Sequence, residues 1–131
     1  MRGEGDDGAE YCFAKIELIA DKAIVAWSAG AMALSEKVVL FHDFPPQGAG
    51  NAEVFDAGLA AFRGLVVFPD ADKRLALGDK QRVSLLASRL APATSMTLDE
   101  GSMLRWDGHA LQTPGPARLL TTDGSVEVVT Q

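Results

Sequence analysis

Ser28 lies in the run Ala23-Ile24-Val25-Ala26-Trp27-Ser28-Ala29-Gly30-Ala31-Met32-Ala33-Leu34, where β-branched apolar residues give way to a serine, then to small residues, then to a helical stretch. A serine between a buried strand and a helix start is suited to acyl transfer. The tight turn projects its hydroxyl from the sheet edge, and the next backbone N–H, that of Ala29, can face a developing oxyanion. Small neighbours such as Gly30 let the helix start pass close to the strand end. The spacing approximates G-x-S-x-G, with Ala26 at the first glycine. Serine is also a good helix N-cap, a role that needs no chemistry.

Such a hydroxyl needs a base that takes its proton near neutral pH. The chain has two histidines, His42 and His109. His42 ends the strand after the elbow helix and could approach the same sheet edge. His109 follows Gly108 in a turn and is expected to be solvated, and a surface role is the default for both. Asp43, Asp70 and Asp72 offer oxygen ligands, but no loop has the Asp/Asn/Gly spacing of a calcium loop, and neither metal nor cofactor is expected. Cys12, the single cysteine, cannot form an internal disulfide and reads as helix core, since nothing beside it lowers its pKa.

These groups must be positioned by regular elements. Residues 1–8 read as a flexible leader, and residues 9–131 as one α/β domain. Cys12, Phe13, Ile16 and Ile19 recur at helical intervals between Ala9 and Lys22, which predicts an amphipathic helix. Ala23–Trp27 suits a strand buried on both faces of a parallel sheet. Helix resumes at Met32–Ser35, with a strand at Val38–His42, a Pro/Gly loop over 43–51, a short helix over Ala52–Phe62 and a second apolar strand at Gly64–Phe68. Val83, Leu86, Ala87 and Leu90 share one face of a helix over Asp79–Leu90, closed by Pro92. Short strands at Ser95–Leu98, Ser102–Trp106, Ala117–Thr121 and Ser125–Val129 follow. Two of the links are Asp107-Gly108 and Asp123-Gly124, which signal hairpins. Phe41, Phe44, Phe55, Phe62 and Phe68 read as core, and Lys73, Arg74 and Arg82 as surface charges. The alternation predicts an α/β fold, a partial doubly wound, flavodoxin-like and mostly parallel sheet with C-terminal antiparallel hairpins.

Composition narrows the function classes. Of 131 residues, 47% are hydrophobic and 23% charged, the balance of a soluble globular domain. A formal charge of -6 argues against nucleic acid, where affinity comes largely from Lys and Arg on phosphates. No apolar run approaches the roughly 18 residues that span a bilayer, and Met1–Asp7 lacks the basic and apolar regions of a signal peptide. A cytoplasmic protein with no membrane partner is the expectation.

Trp27-Ser28-Ala29-Gly30-Ala31 resembles the G-x-S-A-G-A elbow of the cyanophycinase/peptidase E family of serine peptidases, which has a class I glutamine amidotransferase-like fold. Three further segments follow in that family's order: Ala57-Gly58-Leu59 with Gly64-Leu65-Val66-Val67, then Phe68-Pro69-Asp70-Ala71-Asp72-Lys73-Arg74-Leu75, then Leu98-Asp99-Glu100-Gly101-Ser102 with Trp106-Asp107-Gly108. The similarity spans roughly residues 10–110. It implies a serine-type hydrolase acting on a peptide or small amide. Ser28 is the nucleophile, Ala29 an oxyanion donor, and Asp99 or Glu100 the acid that orients a base. Gly30 stands beside the substrate, and Arg74 holds a substrate carboxylate bidentately.

The chain departs from the family in two places. Asp70 stands where the family has its catalytic histidine, and carboxylate is a much weaker base than imidazole. Only 22 residues precede Ala23, so the strand–helix units and glycine-rich loop that supply the other oxyanion donor in the family are not matched. Losing one donor costs on the order of 3 kcal/mol of transition-state stabilisation. The departures make reduced activity an expectation, with a catalytically degenerate relative acting as a binding or oligomerisation module as the alternative. Unmatched strands also leave sheet edges open, for which a homodimer is the expected remedy. A glutaminase-like domain is disfavoured, because that chemistry uses cysteine at the elbow.

Overall fold

The computed structural model describes residues 21–43 and 50–130. In chain order these form helix α1 (Ser28–Leu34), strands β1 (Lys37–Asp43), β2 (Gly50–Ala57) and β3 (Leu65–Pro69), and helices α2 (Ala71–Arg74) and α3 (Lys80–Leu90). Strands β4 (Thr94–Leu98), β5 (Arg105–Trp106), β6 (Leu111–Gln112), β7 (Ala117–Leu120) and β8 (Val126–Val129) follow. The expected leader and the helix over Ala9–Lys22 fall almost wholly outside the described residues, as does Phe44.

The main sheet has the order β3-β4-β7-β8. β3 and β4 run parallel, from Leu65 opposite Thr94 to Pro69 opposite Leu98, and α2 and α3 make the crossover that a parallel pair requires. β7 joins β4 antiparallel and forms a hairpin with β8. β1–β2 and β5–β6 are separate antiparallel pairs. The fold is thus mixed α/β around a four-stranded mixed sheet. A mostly parallel sheet was expected, but among the described strands one ladder is parallel and the rest are antiparallel. The cause is the connections: one helical crossover joins sheet neighbours, while tight turns join β5 to β6 and β7 to β8.

All five residues of β3 are buried, as an apolar run without alternation requires when both faces are covered. On one face Val66 and Phe68 pack with Val83, Leu86, Ala87 and Leu90 of α3, Val39 of β1 and Leu120 of β7. Asp79 starts α3 by accepting the N–H groups of Gln81 at 3.1 Å and Arg82 at 3.2 Å, which satisfies donors with no intrahelical partner. On the other face Leu65, Val67, Met96 and Ala117 meet Ala31 of α1.

Two segments differ from expectation. Ala52–Ala57 is strand, not helix. It pairs with β1 along its length, and a bulge leaves Phe55 unpaired and exposed rather than in the core. Ala and Glu of this run favour helix, but Val54 and Phe55 favour strand and the long ladder with β1 decides the outcome. Ala23–Trp27 has no ladder among the described residues, and Val25 and Trp27 are 84% and 74% exposed. The β-branched run sets the chain extended, but an extended chain becomes a buried strand only beside a hydrogen-bonding neighbour. Within Ser102–Trp106, strand is confined to Arg105–Trp106. No helix among the described residues is long and apolar enough to cross a membrane.

Candidate functional site

Trp27 is extended (φ -142°, ψ 160°) and opens α1 without a side-chain cap. Its carbonyl accepts the N–H groups of Gly30 at 3.0 Å and Ala31 at 3.3 Å. Between extended chain and helix, Ser28 takes φ 50°, a left-handed conformation that costs a non-glycine residue on the order of 1 kcal/mol or more. A serine that served only to cap α1 would sit at extended φ/ψ just before the helix. Ser28 instead occupies the first helical position in a strained turn. Ala29 follows within the first turn, where N–H groups have no intrahelical acceptor.

The far end of α1 is fixed by the chain that follows β2. The carbonyls of Ala33, Leu34 and Ser35 accept the N–H groups of Leu59 (2.8 Å), Phe62 (3.0 Å) and Ala60 (3.0 Å). Ser35, fully buried, donates its hydroxyl to the Ala31 carbonyl at 3.2 Å and accepts the Val67 N–H at 3.3 Å. A Cβ at Gly58 would overlap the Ser35 carbonyl, whereas one at Gly30 would make only an ordinary 4.0 Å contact with Ala26. The close approach that needs glycine is therefore at the end of α1, not at its start.

Ser28 and Asp70 line the same cavity, of about 630 Å³. Asp70 follows β3 at φ 56°, ψ 39°. Its N–H reaches the Leu98 carbonyl at 3.1 Å, and its carboxylate lies 3.3 Å from the Lys73 ammonium. Asp99 and Glu100 also border the cavity. Asp99 accepts from Arg118 at 2.6 Å and from the Asp72 N–H at 2.9 Å, and Arg118 reaches the Asp72 carboxylate at 2.5 Å. Burial alone would raise the Asp99 pKa, but the bonds from Arg118, the Asp72 N–H and Thr97 more than reverse this and hold it below the ordinary carboxylate value. Asp99 therefore remains an anion committed to Arg118.

The other expected residues lie elsewhere. Arg74 places its guanidinium 5.1 Å from the centre of the Phe41 ring and does not line the cavity. His42 is exposed on β1 with Nε2 2.8 Å from Glu53, and His109 sits in the β5–β6 turn, where Asp107 accepts its N–H at 2.9 Å. Neither ring borders the cavity. Reading the sequence missed Arg118. Its signal was a cation inside the short run Ala117–Leu120, which needs a carboxylate partner once the strand is half covered. The cavity wall over Met103–Trp106 also has no sequence signal beyond that of a strand over Ser102–Trp106. Scans against family models, curated proteins and solved structures each find no match.

Proposed function

We propose that this chain is a serine hydrolase of the cyanophycinase/peptidase E kind, with Ser28 as nucleophile and a peptide or small amide as substrate. The observation that carries this reading is the strained, positive-φ serine between an extended segment and α1, at the wall of a cavity. In the reaction the Ser28 Oγ attacks the amide carbonyl carbon and its proton passes to a base. The Ala29 N–H stabilises the oxyanion, the amine leaves with a proton, and water then releases the acyl group. Asp70 is the carboxylate at the position of the base.

A second reading has its own support. No histidine borders the cavity, Asp70 has Lys73 beside it, and Asp99 is bonded to Arg118. On this reading the chain keeps the fold and the binding cavity but turns nothing over. A fluorophosphonate probe separates the two: labelling of the wild type, abolished by Ser28→Ala, supports the hydrolase. Labelling absent from the wild type and gained in Asp70→His supports the degenerate relative.

The proposal extends to architecture. Ala23–Trp27 is the elbow strand of a flavodoxin-like sheet, and a second copy of the chain supplies its ladder in a cytoplasmic homodimer. The extended backbone of this segment, unpaired among the described residues, supports that arrangement. A monomer in sedimentation at micromolar concentration overturns it.

A further inference from the structure

What the cavity holds can be argued from its walls, taking Ser28 as the acyl-accepting position. Leu65, Val67 and Leu98 form the floor, on the sheet face that also carries Met96. One wall is the extended segment Ile24–Trp27 with Ser28 at its end, and another runs from Met103 to Trp106. Both carry large apolar side chains left in water: Val25 and Trp27 on one, Met103 (58% exposed) on the other. Covering such surface is favourable in proportion to its area, and indole rings gain most from a flat apolar partner. The volume falls within the range of small-molecule sites.

The charges argue against an acidic ligand. Asp70, Asp99 and Glu100 border the cavity, with Arg105 as the one bordering cation among the described residues. Arg118, the guanidinium that might have received an anion, is held by Asp99 and Asp72. Arg74 lies over Phe41. An anionic group entering here would lose hydration and meet like charge.

We infer that the site selects a neutral amide or ester whose acyl group is aromatic or large and aliphatic, held between the walls carrying Trp27 and Trp106, and that it rejects acidic acyl groups. Calorimetric titration of the Ser28→Ala protein, which cannot turn substrate over, tests this with two probes, hydrocinnamamide and succinamate. Hydrocinnamamide should bind saturably and succinamate should not at the same concentrations. Trp27→Ala should weaken hydrocinnamamide binding about tenfold, with Trp27→Phe retaining most of it; Trp106→Ala serves as second variant should Trp27→Ala fail to fold. Equal or tighter binding of succinamate, or an affinity indifferent to both tryptophan substitutions, overturns the inference. The hydrolase reading fails separately. Hydrocinnamamide binding with Ser28 unlabelled by fluorophosphonate upholds the cavity's preference without the chemistry. Labelled Ser28 with no hydrocinnamamide binding upholds the chemistry and overturns the preference.

Discussion

The two faces of the β3-β4-β7-β8 sheet share the same strands but are covered differently. On the α3 face an eleven-residue capped helix and the β1–β2 pair close over Val66, Phe68 and Leu120. On the α1 face a seven-residue helix, with Phe62, Leu104 and Leu111, covers part of the sheet, and a cavity bordered by Ser28 opens beside them. The first face supplies burial and therefore stability. The second trades burial for an accessible, strained serine, as functional sites commonly do.

The contrast can be broken by substitutions on each side. Phe68→Ala, at a fully buried ring packed edge-on against Phe41, should cost about 3–5 kcal/mol in denaturant unfolding. Loss of less than about 1 kcal/mol would mean that this face is not the stabilising one. Next in size is Asp99→Ala, which strips Arg118 of one of two carboxylate partners and should cost about 2 kcal/mol. The pH dependence gives its sign. The Asp99 carboxyl titrates below its ordinary value when folded, so its contribution is full above the unfolded pKa of about 3.9 and is lost as pH falls through the lower folded value. Asp123, lowered to about 2 chiefly by the Thr121 hydroxyl, acts in the same direction and window. Acid unfolding between about pH 4 and 2 should be steeper in the wild type than in Asp99→Ala.

Smaller effects belong to the open face. Ser28→Gly relieves a positive φ and should raise stability by about 0.5–1 kcal/mol while removing the hydroxyl. A loss of stability would show that the turn is not strained. Trp27→Ala, at a side chain largely in water, should change stability by less than about 0.5 kcal/mol, the smallest effect in the series for the largest side chain removed.

Local patterns were readable where the chain needed no distant partner. The period of α3, the apolar β3 and the turns at Asp107-Gly108 and Asp123-Gly124 all follow from nearest neighbours. Both Asp turns use the carboxylate to accept following backbone N–H groups, an Asx pattern visible in sequence. What the sequence hid depends on long-range pairing. β2 becomes strand through β1, Ala23–Trp27 pairs with no strand among the described residues, and Arg118 meets Asp72 and Asp99 only once β7 lies beside β4. The turn at Ser28 lies between these cases. Its residues were legible, whereas the positive φ of Ser28 and the cavity at its side required the fold.

Gly58 gives the turn at Ser28 a property that its own residues do not possess. A helix of seven residues does not persist alone in water, and the N–H groups that hold the end of α1 come from Leu59, Ala60 and Phe62, on a segment that fits only because residue 58 lacks a side chain. The strained turn is consequently not a portable module. Grafted elsewhere as residues 23–35, it would relax to an ordinary peptide, because the bonds that fix the end of its helix come from residues 59–62.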